Sequence, residues 1–212
     1  MSNRWTRRGL LAAAAAAPIG VVLATRDRTP LPRHLPGGGH ADRYFPNVAL
    51  TTHRGEQVRL YDDLLRDRFV VVNFMYSVCD GICTGVTSTL GRVQKLLGDR
   101  VGDDIFMYSF TLKPSEDTPE VLREYARRFE VGPGWTFLTG SPRDMESLRR
   151  RLGFTDSDPA IDRVPSQHTG MIRFGDVPRQ RWAACPGQVR AESIAHSILS
   201  IAPSPRRAPR PA

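Results

Sequence analysis

Apolar and polar positions alternate between strand-like and helix-like spacing from about residue 44 to residue 202. Tyr44 to Leu50, the polar turn His53-Arg54-Gly55-Glu56 and then Val58-Arg59-Leu60 predict a hairpin, with Gly55 supplying the turn. Phe69-Val70-Val71-Val72-Asn73-Phe74-Met75-Tyr76 is β-branched and free of charge, the pattern of a central strand buried on both faces. Val86, Leu90, Val93, Leu96 and Leu97 then fall at helical spacing, and Ile105 to Leu112 predicts a second strand. Thr118 is placed as N-cap of a further helix, with Pro119 at its first position and Val121, Leu122, Tyr125, Ala126 and Phe129 as its apolar face. Trp135 to Leu138 predicts a short strand and Pro142 to Leu152 a helix. His168 to Phe174 and Gln180 to Ala184 predict a second hairpin through Gly175-Asp176, and Gln188 to Ile201 a closing helix. Strands alternating with helices in this order predict an α/β sandwich, a sheet with helices on both faces.

The two ends of the chain follow different rules. Arg4-Trp5-Thr6-Arg7-Arg8-Gly9-Leu10-Leu11, the run Ala12 to Ala17 and Pro18 to Ala24 combine a basic start, an apolar stretch and a small-residue end, the grammar of a signal peptide. The adjacent Arg7-Arg8 resembles the twin-arginine export signal, so residues 1–24 are expected to export the domain or to anchor it. The expected location is the periplasm or the outer face of the bacterial cytoplasmic membrane. Residues 25–43, with Pro30, Pro32, Pro36 and Gly37-Gly38-Gly39, predict a flexible linker in which His34 and His40 are solvated. Residues 203–212, rich in proline and arginine, predict a disordered tail. The folded part is then residues 44–202.

Composition narrows the classes. With 212 residues, 40% of them apolar and 25% charged, the chain holds one ordinary domain, which excludes a disulfide-stapled miniprotein, a wholly disordered chain and a polytopic membrane protein. The net charge of +8 suggests nucleic acid until it is located. Residues 1–28 carry +4 and the last ten residues +3, so the body is nearly neutral. No helix in that body has a long basic face with interleaved aromatics, and nucleic-acid binding is set aside.

Two of the three cysteines, Cys79 and Cys83, lie in Ser77-Val78-Cys79-Asp80-Gly81-Ile82-Cys83-Thr84-Gly85, where the central strand hands over to a helix. A helix N-terminus presents free N–H groups and partial positive charge, which favours thiolate as nucleophile or metal ligand. A spacing of four stacks both side chains on one helical face, and Gly81 allows the sulfurs to converge on each other or on one ion. Structural zinc normally takes four ligands, and there is no second cysteine pair here. Soft thiolates in an oxidising compartment point instead to copper, as Cu(I) with two sulfurs and one nitrogen. His168 is the best candidate for the nitrogen because it lies in a loop at a strand edge. His53 in a hairpin turn and His196 on the last helix are expected to face solvent or a helix surface. Cys185, in Cys185-Pro186-Gly187, is expected to be a small buried hydrophobe.

Four blocks in order, Val71 to Cys83, Thr111 to Leu122, Trp135 to Gly140 and the isolated His168, resemble the Sco/SenC family from about residue 44 to about residue 184. The resemblance implies a thioredoxin-like three-layer sandwich, a central mixed sheet flanked by helices with an N-terminal β-hairpin extension. It also implies that Cys79, Cys83 and His168 bind Cu(I) or Cu(II), for copper delivery to, or thiol reduction of, the dicopper site of cytochrome c oxidase. The implied partners are the oxidase subunit carrying that site and other copper chaperones or thioredoxin-like reductants. The chain departs from the family pattern at Thr84 (often Pro), Gln167 (often acidic) and Lys113 (commonly Asp); the lost carboxylates and the added cation would disfavour bound Cu(II) charge, the alternative reading being tolerated surface variation. The alternative function is a thiol–disulfide oxidoreductase in which Cys79 attacks and Cys83 resolves. A peroxidase is disfavoured because Val72 and Tyr76 occupy the places of its proline and threonine.

Overall fold

The charge-free run at the centre of the chain forms β3 (Phe69–Met75), and all seven of its residues are buried. A strand covered on both faces must sit inside a sheet, and β3 pairs in parallel with β4 (Ile105–Thr111) and antiparallel with β6 (Met171–Asp176). The remaining strands are β1 (Ala49–Thr52), β2 (Gln57–Arg59), β5 (Trp135–Gly140) and β7 (Arg181–Pro186), and the seven-stranded mixed sheet runs β2-β1-β5-β4-β3-β6-β7. These statements come from a computed structural model that describes residues 44–78, 82–162, 164 and 170–204. The expected signal segment, the linker, Cys79, His168 and the tail from residue 205 lie outside the described residues.

Each face of the sheet carries its own apolar core. On one side α1 (Ile82–Leu97), α2 (Pro119–Arg128) and α5 (Ala191–Ile201) pack on Val71, Met107, Trp135, Phe137 and Ile172. On the other, a wide helical turn at Leu60–Leu65 and α3 (Pro142–Arg151) cover Val70, Val72, Tyr108, Phe110 and Leu138. The expected α/β sandwich is therefore observed, with the hairpin of β1 and β2 added to the sheet beside β5. Gly55 takes φ +86 at the tip of that hairpin, a backbone region that favours glycine. Short helical pieces not expected from the pattern are Leu60–Leu65, the 3-10 turn Gly98–Arg100 that follows α1, and the single turn α4 (Pro159–Asp162).

Local chemistry explains the helix starts. Thr118 Oγ1 accepts from the backbone N–H of Val121 with Pro119 in the first turn, as expected of an N-cap. Ser141 does the same for α3 through Asp144. Tertiary packing corrects several side-chain and boundary expectations. Leu96 and Val121 are exposed, because each lies one position off the stripe that faces the sheet. The first strand begins at Ala49 rather than Tyr44, and the last helix at Ala191 rather than Gln188. The β6–β7 turn lies at 177–180, beyond the expected Gly175-Asp176. Gly175 instead sits within β6 under Trp182, where an added Cβ would lie 2.5 Å from the indole.

Among the described residues, no helix is long and apolar enough to cross a membrane. Pro203, assigned to the tail by composition, accepts a hydrogen bond from the Arg100 guanidinium at 2.6 Å.

Candidate metal centre

The C-terminal end of β3 leads into the cysteine turn. After Met75 the chain turns through Tyr76, Ser77 and Val78, and α1 starts at Ile82 with Cys83 as its second residue. Cys83 is 4% exposed and packs in the core with Val86 and Leu90. Its sulfur thus lies in the first helical turn, where unpaired N–H groups and the helix dipole favour negative charge. Burial keeps bulk solvent from it.

A buried carboxylate that the sequence reading did not single out fixes this turn. Asp117, 1% exposed, accepts from the Ser77 N–H at 3.3 Å, from the Ser77 hydroxyl and from the Thr111 hydroxyl. Its own N–H donates to Lys113 O at 2.9 Å, and Lys113 N–H donates to Thr111 Oγ1 at 2.9 Å. One side chain therefore ties the ends of β3 and β4 to the start of α2, two residues before Cys79. A fully hydrogen-bonded buried acid makes such a junction rigid. The available signal was an acidic residue immediately before an N-cap, but its partner Ser77 lies 40 positions away.

The segment that follows His168 reaches the same end of the sheet. Asn73 pairs with Ile172, so β6 starts beside the end of β3. Gly170, two positions after His168, takes φ +57, and an added Cβ there would lie 2.9 Å from Ile82 and 3.4 Å from Val86. Gly187 donates its N–H to Gly170 O at 2.8 Å and is as tightly held against Val86. The backbone at Gly170 and Gly187 is thereby packed on the helix that carries Cys83. The strand itself begins at Met171, three residues later than expected from the sequence.

The other candidate groups separate cleanly. His53 is 6% exposed, and its Nδ1 accepts from the Phe137 N–H at 3.2 Å while its ring meets Phe137 edge-on. Burial pushes its pKa down, with Arg54 adding to the effect, so it is a neutral structural acceptor and not the solvent-facing residue expected. His196 is exposed on α5, as expected. Cys185 pairs across the sheet with Ile172 and packs on the first core, and burial pushes its thiol pKa up. The Lys113 ammonium lies 5.0 Å from the centre of the Tyr76 ring and 3.2 Å from the Glu116 carboxylate, so its charge is already engaged.

Comparison with known proteins decides the family. The SCO1/SenC family model matches residues 39–202, most of the chain. The chain belongs to the SCO1/SenC family. Among relatives in this family, an SCO2-like protein of Rickettsia typhi is 26% identical over 121 residues, 53% of this chain and 56% of that protein. The chain spans about half the length of the curated relatives it matches. Among solved structures, a SCO1/SenC family lipoprotein from Bacillus anthracis superposes with a TM-score of 0.60 at 21% identity, over 74% of this chain and 94% of that one. Yeast Sco1 with copper bound superposes with a TM-score of 0.56 at 22% identity, over 73% and 92% of the two chains. These superpositions establish the shared thioredoxin-like fold.

Proposed function

We propose that this SCO1/SenC chain is an exported copper-binding protein that carries copper as cargo on Cys79, Cys83 and His168. It delivers that copper to, or reduces the thiols of, the dicopper site of a respiratory cytochrome c oxidase. The carrying observation is the placement of Cys83 in the first turn of α1, beside the packed Gly170 that follows His168. Two thiolates and one imidazole form a soft donor set of the kind Cu(I) takes. Support also comes from Sco structures solved with copper bound in yeast and Arabidopsis thaliana. A solved relative, BsSco, is a member of the Sco family of cytochrome c oxidase assembly proteins. In this reading residues 1–24 are the export signal or anchor, 25–43 the tether, 44–202 the working domain and 203–212 the tail.

The test is titration of the reduced protein with Cu(I), and with Cu(II) followed by absorption spectroscopy. Stoichiometric binding is expected in the parent and lost in Cys79→Ser, Cys83→Ser and His168→Ala. Retention of stoichiometric binding in all three variants would overturn the site.

The burial of Cys83 favours one division of labour between the cysteines. A nucleophile must be reached by its substrate and a resolving thiol need not be, so Cys79 is the attacking and Cys83 the resolving sulfur in thiol–disulfide exchange. BsSco contains a disulfide switch. His168→Ala separates the two activities: it is expected to weaken copper retention and to spare disulfide exchange. Equal loss of both would remove the distinction.

A further inference from the structure

A groove of about 620 Å³ runs from the cysteine turn along α2, and neither copper binding nor thiol exchange accounts for it. At its upper end are Ser77 and Val78 on one side of the cysteine turn and Thr84 on the other. Val78 is 70% exposed and Val121 on α2 37%, so two aliphatic side chains of the groove stand in water. Tyr125 lines the groove and donates its hydroxyl to Thr87 Oγ1 at 3.0 Å, which ties α2 to α1. Glu120, Glu124 and Arg128 follow one another down the α2 wall.

We infer that this groove is the docking track for an extended segment of the client polypeptide. The segment it fits carries an aliphatic residue next to its own cysteine and a lysine or arginine about two to four residues further on. This rests on the function proposed above and names how its partner is recognised. The register follows from geometry. Eight helical positions from Glu120 to Arg128 span about 12 Å, which an extended chain covers in about four residues. A segment that seats its aliphatic residue between Val78 and Val121 sets its cation against Glu120 and Glu124. An acidic residue beyond that would meet Arg128. The groove carboxylates have helical neighbours, Arg123 at 3.9 Å from Glu120 and Arg127 at 2.8 Å from Glu124, but those arginines do not line the groove. Such exposed pairs are weak and exchange readily with an incoming cation.

The experiment uses fluorescein-labelled octapeptides in which serine replaces cysteine, so that only docking is read. One peptide has leucine beside the serine and lysine three residues on; its control has glutamate in place of lysine. Anisotropy titration of the full chain at low salt is expected to show the lysine peptide binding about tenfold more tightly, the sum of two exposed charge contacts. Glu120→Gln with Glu124→Gln should reduce that preference to about twofold or less, and added salt should do the same in the parent. Val121→Glu should weaken both peptides. Equal binding of the two peptides, or a preference unchanged in the Glu120→Gln/Glu124→Gln variant, would overturn the inference. Concentration-dependent dimerisation abolished by Val121→Glu would also overturn it, in favour of a second copy of the chain. Copper stoichiometry and reaction with a small aromatic disulfide are measured on the same variants and are expected to be unchanged. Failure of copper binding in the parent with docking intact would count against the proposed function and leave the groove assignment standing.

Discussion

The two ends of the central strand β3 are built on opposite principles. At its N-terminal end, beside Phe69, basic side chains are fastened to fixed partners. Arg100 pairs with Asp104 at 2.8 Å and bonds Pro203 O, Arg179 pairs with Asp176 at 2.5 Å, and Arg68 donates to the Tyr108 hydroxyl at 2.8 Å. At the C-terminal end a single buried acid, Asp117, holds the turn, while Val78 and Val121 are left in water and Cys83 sits at a helix start. One end closes the fold, and the other is the end at which we propose that ligands bind. This matches the rule that sites on such sheets form at the carboxyl ends of the parallel strands.

The comparison breaks most visibly at Asp117. Asp117→Ala leaves the Ser77 N–H and two hydroxyls without their acceptor, and should cost about 3 kcal/mol in urea unfolding. It should also lower copper retention, and Asp117→Asn should restore part of both. Unchanged copper retention in a folded Asp117→Ala protein would show that the acid serves the fold alone. At the other end, Arg100→Ala strands the buried Asp104 carboxylate and should cost about 2 kcal/mol while leaving copper stoichiometry untouched. Loss of copper in that variant would erase the contrast between the ends.

A smaller effect belongs to His53. Its folded pKa is lowered, so between that value and the ordinary histidine value the unfolded chain binds more protons than the folded one. Stability from this site is complete above the ordinary pKa and falls as pH drops through the folded value. His53→Gln should flatten that acid-side slope in a series of unfolding midpoints. The smallest change is expected from Cys185→Ala, about 1 kcal/mol or less, with copper binding and disulfide exchange both retained.

Much of this contrast was already present in the order of residues. The charge-free stretch of β3, the Gly55 turn and the Thr118-Pro119 cap are local signals, and each appears in the fold where the pattern placed it. The junction holding Cys83 was legible for the same reason, since a strand followed by helical spacing fixes where a helix begins. The helical face was less secure. A five-residue apolar set on α2 included Val121, but only packing against the sheet shows that Val121 belongs to the groove.

By itself the sequence determined the alternation of strands and helices, the position of the cysteine pair at a strand-to-helix junction and the displacement of the positive charge to the two ends. All of these depend on residues within a turn or two of one another. Only the tertiary structure decided that His53 is buried against Phe137, 84 positions away, that Gly175 serves the Trp182 ring, and that Asp117 reaches Ser77 across 40 positions. The physical reason is that a polar side chain can be buried only where a partner waits for it, and that partner is supplied by a distant strand.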